Sequence, residues 1–213
     1  MSTRAGRAII GESMGGYGVT TYAARHPDLF AAAASLSGAD DTNYLPAIGL
    51  VTFGPPVQGG LPDSIYGSRA TQEVRWHGHN PTDLAENLRD VDLQVRTAEG
   101  IPTAITDGGP DSAEACVLEA GIYQMNLDFR QQLLAYGIPH VWKDYGAACH
   151  GPNLFTREFA DSLPELESVF ANPRPDPKSF DYRSIEPHFS IWNWHIDVDA
   201  QRALEFLQLR DAG

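Results

Sequence analysis

The sequence predicts an α/β fold built on a parallel sheet, followed by a few strands of a different texture. Three observations carry this expectation. Short apolar runs that read as buried strands alternate with longer helical patterns. The first such run leads into a Gly-x-Ser-x-Gly turn that opens a helix. Beyond a proline-rich stretch, residues 171–179 (ANPRPDPKS), the pattern changes to the period-two alternation of half-buried strands.

The elements follow in order. Ala8-Ile9-Ile10 stops at Gly11 and reads as the end of a buried parallel strand. Residues 14–26 are helical in pattern, with Tyr17, Thr21, Tyr22 and Ala24 filling a face, and Pro27 bounds them. Residues 30–36 (FAAAASL) are small and apolar, suited to a buried strand or a piece of helix. Residues 40–78 are rich in Gly and Pro and read as a long excursion with short helices, of the kind that covers an active site. Residues 81–88 form a short helix with Asn80 as its N-cap, and residues 92–97 a strand. After a loop at 99–111 comes the strongest helical pattern, 112–136, with Val117, Leu118, Ile122, Met125, Leu127, Phe129, Leu133 and Leu134 as expected buried residues and Gly137 as the C-terminal cap. A strand at 140–145, a loop at 146–150 and a helix at 153–170 complete the first unit, residues 1–170. Residues 171–179 read as a linker, and 180–213 as a partial, separate all-β accessory module, with strands at 180–185 and 189–198 that place Trp192 and Trp194 on one face.

Composition narrows the function. Of 213 residues, 42% are hydrophobic and 20% charged, an ordinary globular balance. A formal net charge of −13 argues against nucleic acid or an anionic membrane surface as partner, because phosphates would be repelled. No apolar run is long enough to insert in a membrane, and the polar start of the chain lacks the apolar core of a signal peptide. Two cysteines without a C-x-x-C pair make a structural zinc site a poor expectation and permit one disulfide without demanding it. No phosphate loop or dinucleotide fingerprint is present, so neither a metal nor an organic cofactor is expected.

Gly11-Glu12-Ser13-Met14-Gly15 sits between a strand and a helix, the context in which this motif presents a nucleophile. The spacing has a physical reason. A serine on a sharp, strained turn needs small residues two positions to either side, so that strand and helix can pass close by. The helix N-terminus then lies beneath the serine oxygen and favours negative charge there. The backbone N–H of Met14 is the expected oxyanion donor.

From this point a family resemblance is visible. RAIIGESMGGYGVTTYAARHPDLFAAAASLSG resembles the elbow region of the esterase branch of the α/β hydrolases, which includes esterase D-like enzymes, feruloyl esterases and the secreted mycolyltransferases. WHGHNPTDLAENLRDVDLQVRT, VLEAGIYQMNLDFRQQL and HVWKDYGAACHGPNLF are similar, in order, to that family's next strand segment, acid-bearing helix and histidine loop. The resemblance covers residues 4–170. It implies the C-terminal half of a doubly wound α/β-hydrolase sheet followed by the partial β module. The family places several strands before the elbow strand, and the sequence has about ten residues there, so it reads as truncated at both ends, with the second oxyanion donor expected outside it.

The resemblance also implies a chain order of serine, acid, histidine. His150 is the matching histidine, in a loop after the last sheet strand; the other six histidines read as surface or packing residues. For the acid, Glu119 matches the glutamate of the acid-bearing helix. Asp107, in an Asp-Gly-Gly loop, and Glu99 stand as rivals. The implied activity is that of a serine esterase or acyltransferase acting on a small-molecule or glycan ester, with oligomeric state open. The alternative is an inactive fragment, or a carbohydrate- or wall-binding descendant whose binding is carried by the tryptophan-bearing C-terminal module; Trp76, Trp142, Trp192 and Trp194 are candidates to line a substrate groove, although packing in a core or on a sheet face is the more frequent use of such residues. Cys116 lies one helical turn before Glu119, and Cys149 adjoins His150. If Glu119 and His150 pair, the two sulfurs share one small region. A disulfide there, and export to an oxidising compartment, are the corresponding expectations.

Overall fold

Four parallel strands lie side by side in sequence order: β1 (Ala8–Glu12), β2 (Ala32–Leu36), β3 (Asp92–Thr97) and β4 (His140–Asp144). The computed structural model from which these are taken describes residues 3–103, 112–199 and 201–213. Among the described residues, five α-helices accompany the strands: α1 (Met14–Arg25), α2 (Leu45–Val57), α3 (Arg69–Gly78), α4 (Ala113–Ala135) and α5 (Pro152–Ala171). Register runs evenly across the sheet, with Ala33 opposite Ala8's neighbour Ile9 on one side and opposite Leu93 on the other.

The two faces of the sheet are covered differently because strand side chains alternate. Ile9, Ala33, Leu93 and Val95 point into the main core, where they meet Val19, Ala23 and Ala24 of α1, Leu84 and Leu88, and Phe129 and Leu133 of α4. The intervening Gln94 and Arg96 face the other way, and Arg96 Nε donates to Ser162 Oγ of α5 at 2.7 Å. The whole of β2 is buried, and its alanines let helices pack close on both sides.

Several expectations needed correction. Residues 81–88 hold only a 3₁₀ turn at Ala85–Leu88, and Asn80 is not its cap. Instead Asn80 Oδ1 accepts the Thr42 N–H (2.8 Å) while its amide donates to Asp41 and Asp83, tying the 40–78 excursion down. In α4 the buried stripe is Cys116, Glu119, Ile122, Met125, Asn126, Phe129 and Leu133; Val117, Leu118 and Leu134 are exposed. A helix laid on a sheet buries only one narrow stripe, and apolar residues outside that phase stay wet. Gly137, at φ 63°, ends the helix as expected.

After α5 the chain forms β5 (Phe180–Ser184), β6 (His188–Ile191), β7 (Trp194–Asp197) and β8 (Leu207–Ala212), paired antiparallel as β5 with β8 and β6 with β7. Trp192 and Trp194 do not share a strand face. Trp192 and Asn193, at φ 48° and 69°, are the two-residue turn of the β6–β7 hairpin. These strands pack on the first unit through paired bonds between Asn87 and the Arg183 backbone, through Tyr182 Oη to Arg25 O (2.7 Å), and through an Arg25–Glu186 ion pair. Among the described residues no helix is long and apolar enough to cross a membrane.

Candidate active site

Ser13 stands between β1 and α1 with φ 58° and ψ −123°, a strained conformation that costs a residue with a side chain on the order of 1–3 kcal/mol. The surrounding structure fixes it there. Its N–H donates to Leu36 O across the sheet (2.9 Å), and its carbonyl accepts from Tyr17 N of α1 (3.1 Å). Two glycines make this crossing possible. A Cβ on Gly11 would lie 2.7 Å from the Gly15 carbonyl oxygen, and one on Gly16 would lie 2.5 Å from the Gly38 Cα. Met14 begins α1 directly after Ser13, so its N–H is among the first-turn N–H groups that have no intrahelical acceptor.

His150 reaches this serine from the loop between β4 and α5. Ser13 Oγ and His150 Nε2 are 2.8 Å apart, and His150 Nδ1 is 2.6 Å from Glu119 Oε2. A carboxylate only accepts, so Nδ1 carries the proton and donates to Glu119; Nε2 is left as the acceptor of the Ser13 hydroxyl. The Phe155 ring lies edge-on to the imidazole, with centroids 4.9 Å apart.

Glu119 occupies a position in the buried stripe of α4 and is 0% exposed. A buried carboxylate must be hydrogen-bonded to persist. Its Oε1 accepts from Ala98 N (3.0 Å), from Ser37 Oγ (2.7 Å) and, at a longer 3.3 Å, from Thr97 Oγ1, leaving Oε2 for the histidine. The histidine loop is fastened to the start of α4 twice: by the Cys116–Cys149 disulfide, and by His150 N donating to Ala115 O at 3.2 Å.

Ser13, His150 and Glu119 are therefore brought together, and Met14 follows Ser13 at the helix start. Glu99 is not the partner of His150, and Asp107 lies outside the described residues. Trp76 is fully buried with its Nε1 donating to Gly67 O, and Trp142 packs on the main core. Three groups near the site had no part in the sequence reading. Ser37, at φ 42°, follows β2 and touches Glu119. Glu158 of α5 lies beyond Ser37, and burial, then the charge of Glu119, pushes its carboxyl up to about 8. Asp40, held by Thr20 Oγ1 (2.7 Å) and Ser35 Oγ (2.8 Å) behind the elbow, is pushed up to about 7 by burial. Among the described residues no three His, Cys, Asp or Glu side chains are grouped to hold a metal.

The parallel sheet, the strained serine between strand and helix, and the flanking helices define an α/β-hydrolase fold. Residues 1–166 match the family described as "Putative esterase", and the chain belongs to that family. It is 27% identical over 175 residues to the esterase Rv1288 of Mycobacterium tuberculosis, covering 80% of this chain and 35% of that protein. It is 43% identical over 109 residues to the MPT51 antigen of Mycobacterium leprae, covering 49% of this chain and 33% of that one. The crystal structure of MPT51 from Mycobacterium tuberculosis superposes with a TM-score of 0.59 at 23% identity, over 78% of this chain and 59% of that one. The chain thus spans about a third of the length of the curated relatives it matches.

Proposed function

We propose that this chain carries the acyl-transfer centre of a serine esterase or acyltransferase, with Ser13 as nucleophile, His150 as general base and Glu119 as the acid that orients it. The observation that carries the reading is the hydrogen-bonded sequence Ser13–His150–Glu119 with its tautomer set by a buried carboxylate. Ser13 Oγ attacks the ester carbonyl as His150 Nε2 takes its proton. The oxyanion that forms lies toward the Met14 N–H and the N-terminus of α1, where the helix dipole favours it. The imidazolium returns its proton to the leaving alkoxide, and an acyl-enzyme remains until water or a sugar hydroxyl takes the acyl group. Glu119 stabilises the imidazolium throughout without being protonated itself.

The substrate class is a small-molecule or glycan carboxylic ester. Family membership supports ester chemistry, and the disulfide beside the site supports an oxidising, exported setting, since such bridges persist outside the reducing cytosol. The test is hydrolysis of p-nitrophenyl acetate with active-site titration. The wild-type chain is expected to release a stoichiometric burst of p-nitrophenol that Ser13→Ala lacks. An equal burst from both proteins removes Ser13 from the mechanism.

A further inference from the structure

Ser37 is fully buried and lies between two carboxyl groups. Its Oγ is 2.7 Å from Glu119 Oε1 and 3.0 Å from Glu158 Oε1. A hydroxyl has one hydrogen and can satisfy only one of them as donor. Glu119 is the partner whose oxygens both act as acceptors, since Oε2 accepts the His150 N–H and Oε1 also accepts Ala98 N, so the Ser37 hydrogen goes to it. Were Glu158 ionised as well, one carboxylate oxygen would face the Ser37 oxygen lone pair to lone pair in a site without water access. A hydrogen on Glu158 gives the 3.0 Å contact the donor that Ser37, committed to Glu119, lacks.

We infer that Glu158 is a positioning residue for the active site: held as a neutral carboxylic acid, it donates to Ser37 Oγ, which in turn donates to Glu119 Oε1 and holds that carboxylate on His150. The inference rests on the reading of Glu119 and His150 as acid and base. Three further facts agree with it. Glu158 is 0% exposed in the buried stripe of α5. Its Oε2 has no hydrogen-bond partner, which a neutral carbonyl oxygen tolerates far better than a charged one. The charged groups facing it are Glu119 from α4 and Arg96 from β3, and Arg96 is bound to Ser162 Oγ, the Asp161 carbonyl and Glu165, not to Glu158. Burial and the Glu119 charge, the two largest influences, both favour the protonated form, and they place its ionisation near pH 8.

The consequence is an alkaline limit. Once Glu158 loses its proton, Ser37 has one hydrogen for two carboxylates, and the second negative charge pushes Glu119 out of place. The experiment uses the purified chain, Glu158→Gln, Glu158→Ala and Ser37→Ala, with two readouts. The first is kcat/KM for p-nitrophenyl acetate against pH. The second is the NMR titration of the His150 ring, which reads the hydrogen-bond chain with or without turnover. Gln keeps a neutral N–H donor toward Ser37, so Glu158→Gln is expected to stay within about threefold of wild type at neutral pH, while Ser37→Ala and Glu158→Ala each lose about tenfold. Wild type should lose activity with a midpoint near that of Glu158, and Glu158→Gln should not. The His150 resonance of wild type should show a second step at the same midpoint, absent from Glu158→Gln and from Ser37→Ala. An alkaline limit retained in Glu158→Gln, a Gln variant as impaired as Ala, or a wild-type His150 titration without the second step overturns the inference. If Glu158→Gln does not fold, the His150 step in wild type against Ser37→Ala decides. No hydrolysis by any variant, with the His150 step intact, refutes the proposed function and leaves the relay standing.

Discussion

Replacing Cys116 and Cys149 together by alanine tests how the histidine loop is held. The bridge joins residues 33 apart, from the first turn of α4 across β4 to the residue before His150. Closing a loop of that length removes denatured-chain entropy equivalent to about 3.7 kcal/mol at 25 °C in the chain-entropy treatment. That is a large share of the roughly 5–15 kcal/mol that holds a typical domain folded. Both cysteines are buried, so alanine adds no polar group to the interior and leaves only small voids. The local effect is separate. Without the bridge, the bonds from His150 N to Ala115 O and from His150 Nδ1 to Glu119 Oε2 keep the loop on α4, and displacement of the imidazole by about an ångström would cost on the order of 100-fold in rate. Urea unfolding followed by far-UV circular dichroism reads the first effect by linear extrapolation, and kcat on p-nitrophenyl acetate in the absence of denaturant reads the second. Wild type treated with reductant is expected to match the double variant on both. A stability loss below about 1 kcal/mol at unchanged m-value would refute the entropic argument. Unchanged kcat would show that the hydrogen bonds alone hold the loop.

Two further predictions concern buried carboxylates. Glu119→Gln keeps the shape of the side chain but offers no charge to the imidazolium and can hold the wrong tautomer, so kcat should fall by about 10⁴-fold at unchanged fold; a loss under tenfold would return the acid role to another residue, Asp107 first. Asp40 has an ordinary value of 3.8 that burial lifts to about 7 in the folded protein, so the folded state keeps a proton that the unfolded state has lost. The Asp40 contribution to stability therefore declines as pH rises from about 4 through about 7 and levels off above, and Asp40→Asn removes that contribution. Calorimetry at about pH 5 and about pH 8 should show the Tm of Asp40→Asn rising relative to wild type on going to the higher pH; parallel changes in the two proteins would contradict the burial argument.

The parts of the site that announce themselves in sequence are those whose chemistry demands a local pattern. Ser13 needs small residues around a sharp turn, and Gly11 and Gly16 are visible as such; Gly15, the other glycine of the motif, has open space where a side chain would lie. His150 and Glu119 were legible through order along the chain and through resemblance, and the disulfide through their adjacency to the cysteines. The support behind Glu119 was not legible, because its members come from three distant segments. Ser37 is an ordinary serine after a strand, and Glu158 is one of 28 acidic residues. A signal for Glu158 does exist in helical phase. Leu154, Glu158, Ser162 and Leu166 recur every four residues, which puts a glutamate in the buried stripe of α5. Glu119 sits in the stripe of α4 in the same way, between Cys116 and Ile122. A charged residue in phase with a buried stripe is the sequence mark of a functional or relay carboxylate. The same phase argument, applied strictly, would have set Val117, Leu118 and Leu134 aside as exposed. Trp192 misled because two consecutive residues at positive φ form the hairpin turn there, and only Asn193 belongs to a type that commonly adopts it.

The central claim is that Ser13 is a nucleophile activated by His150. Labelling the purified chain with a fluorophosphonate, followed by peptide mass mapping, tests it most directly, since the reagent bonds only to an activated nucleophile. The account predicts one adduct per chain, on the peptide bearing Ser13. It also predicts no adduct on Ser13→Ala and a labelling rate lowered by orders of magnitude in His150→Ala. An adduct on another residue, or undiminished labelling of Ser13→Ala, would contradict it.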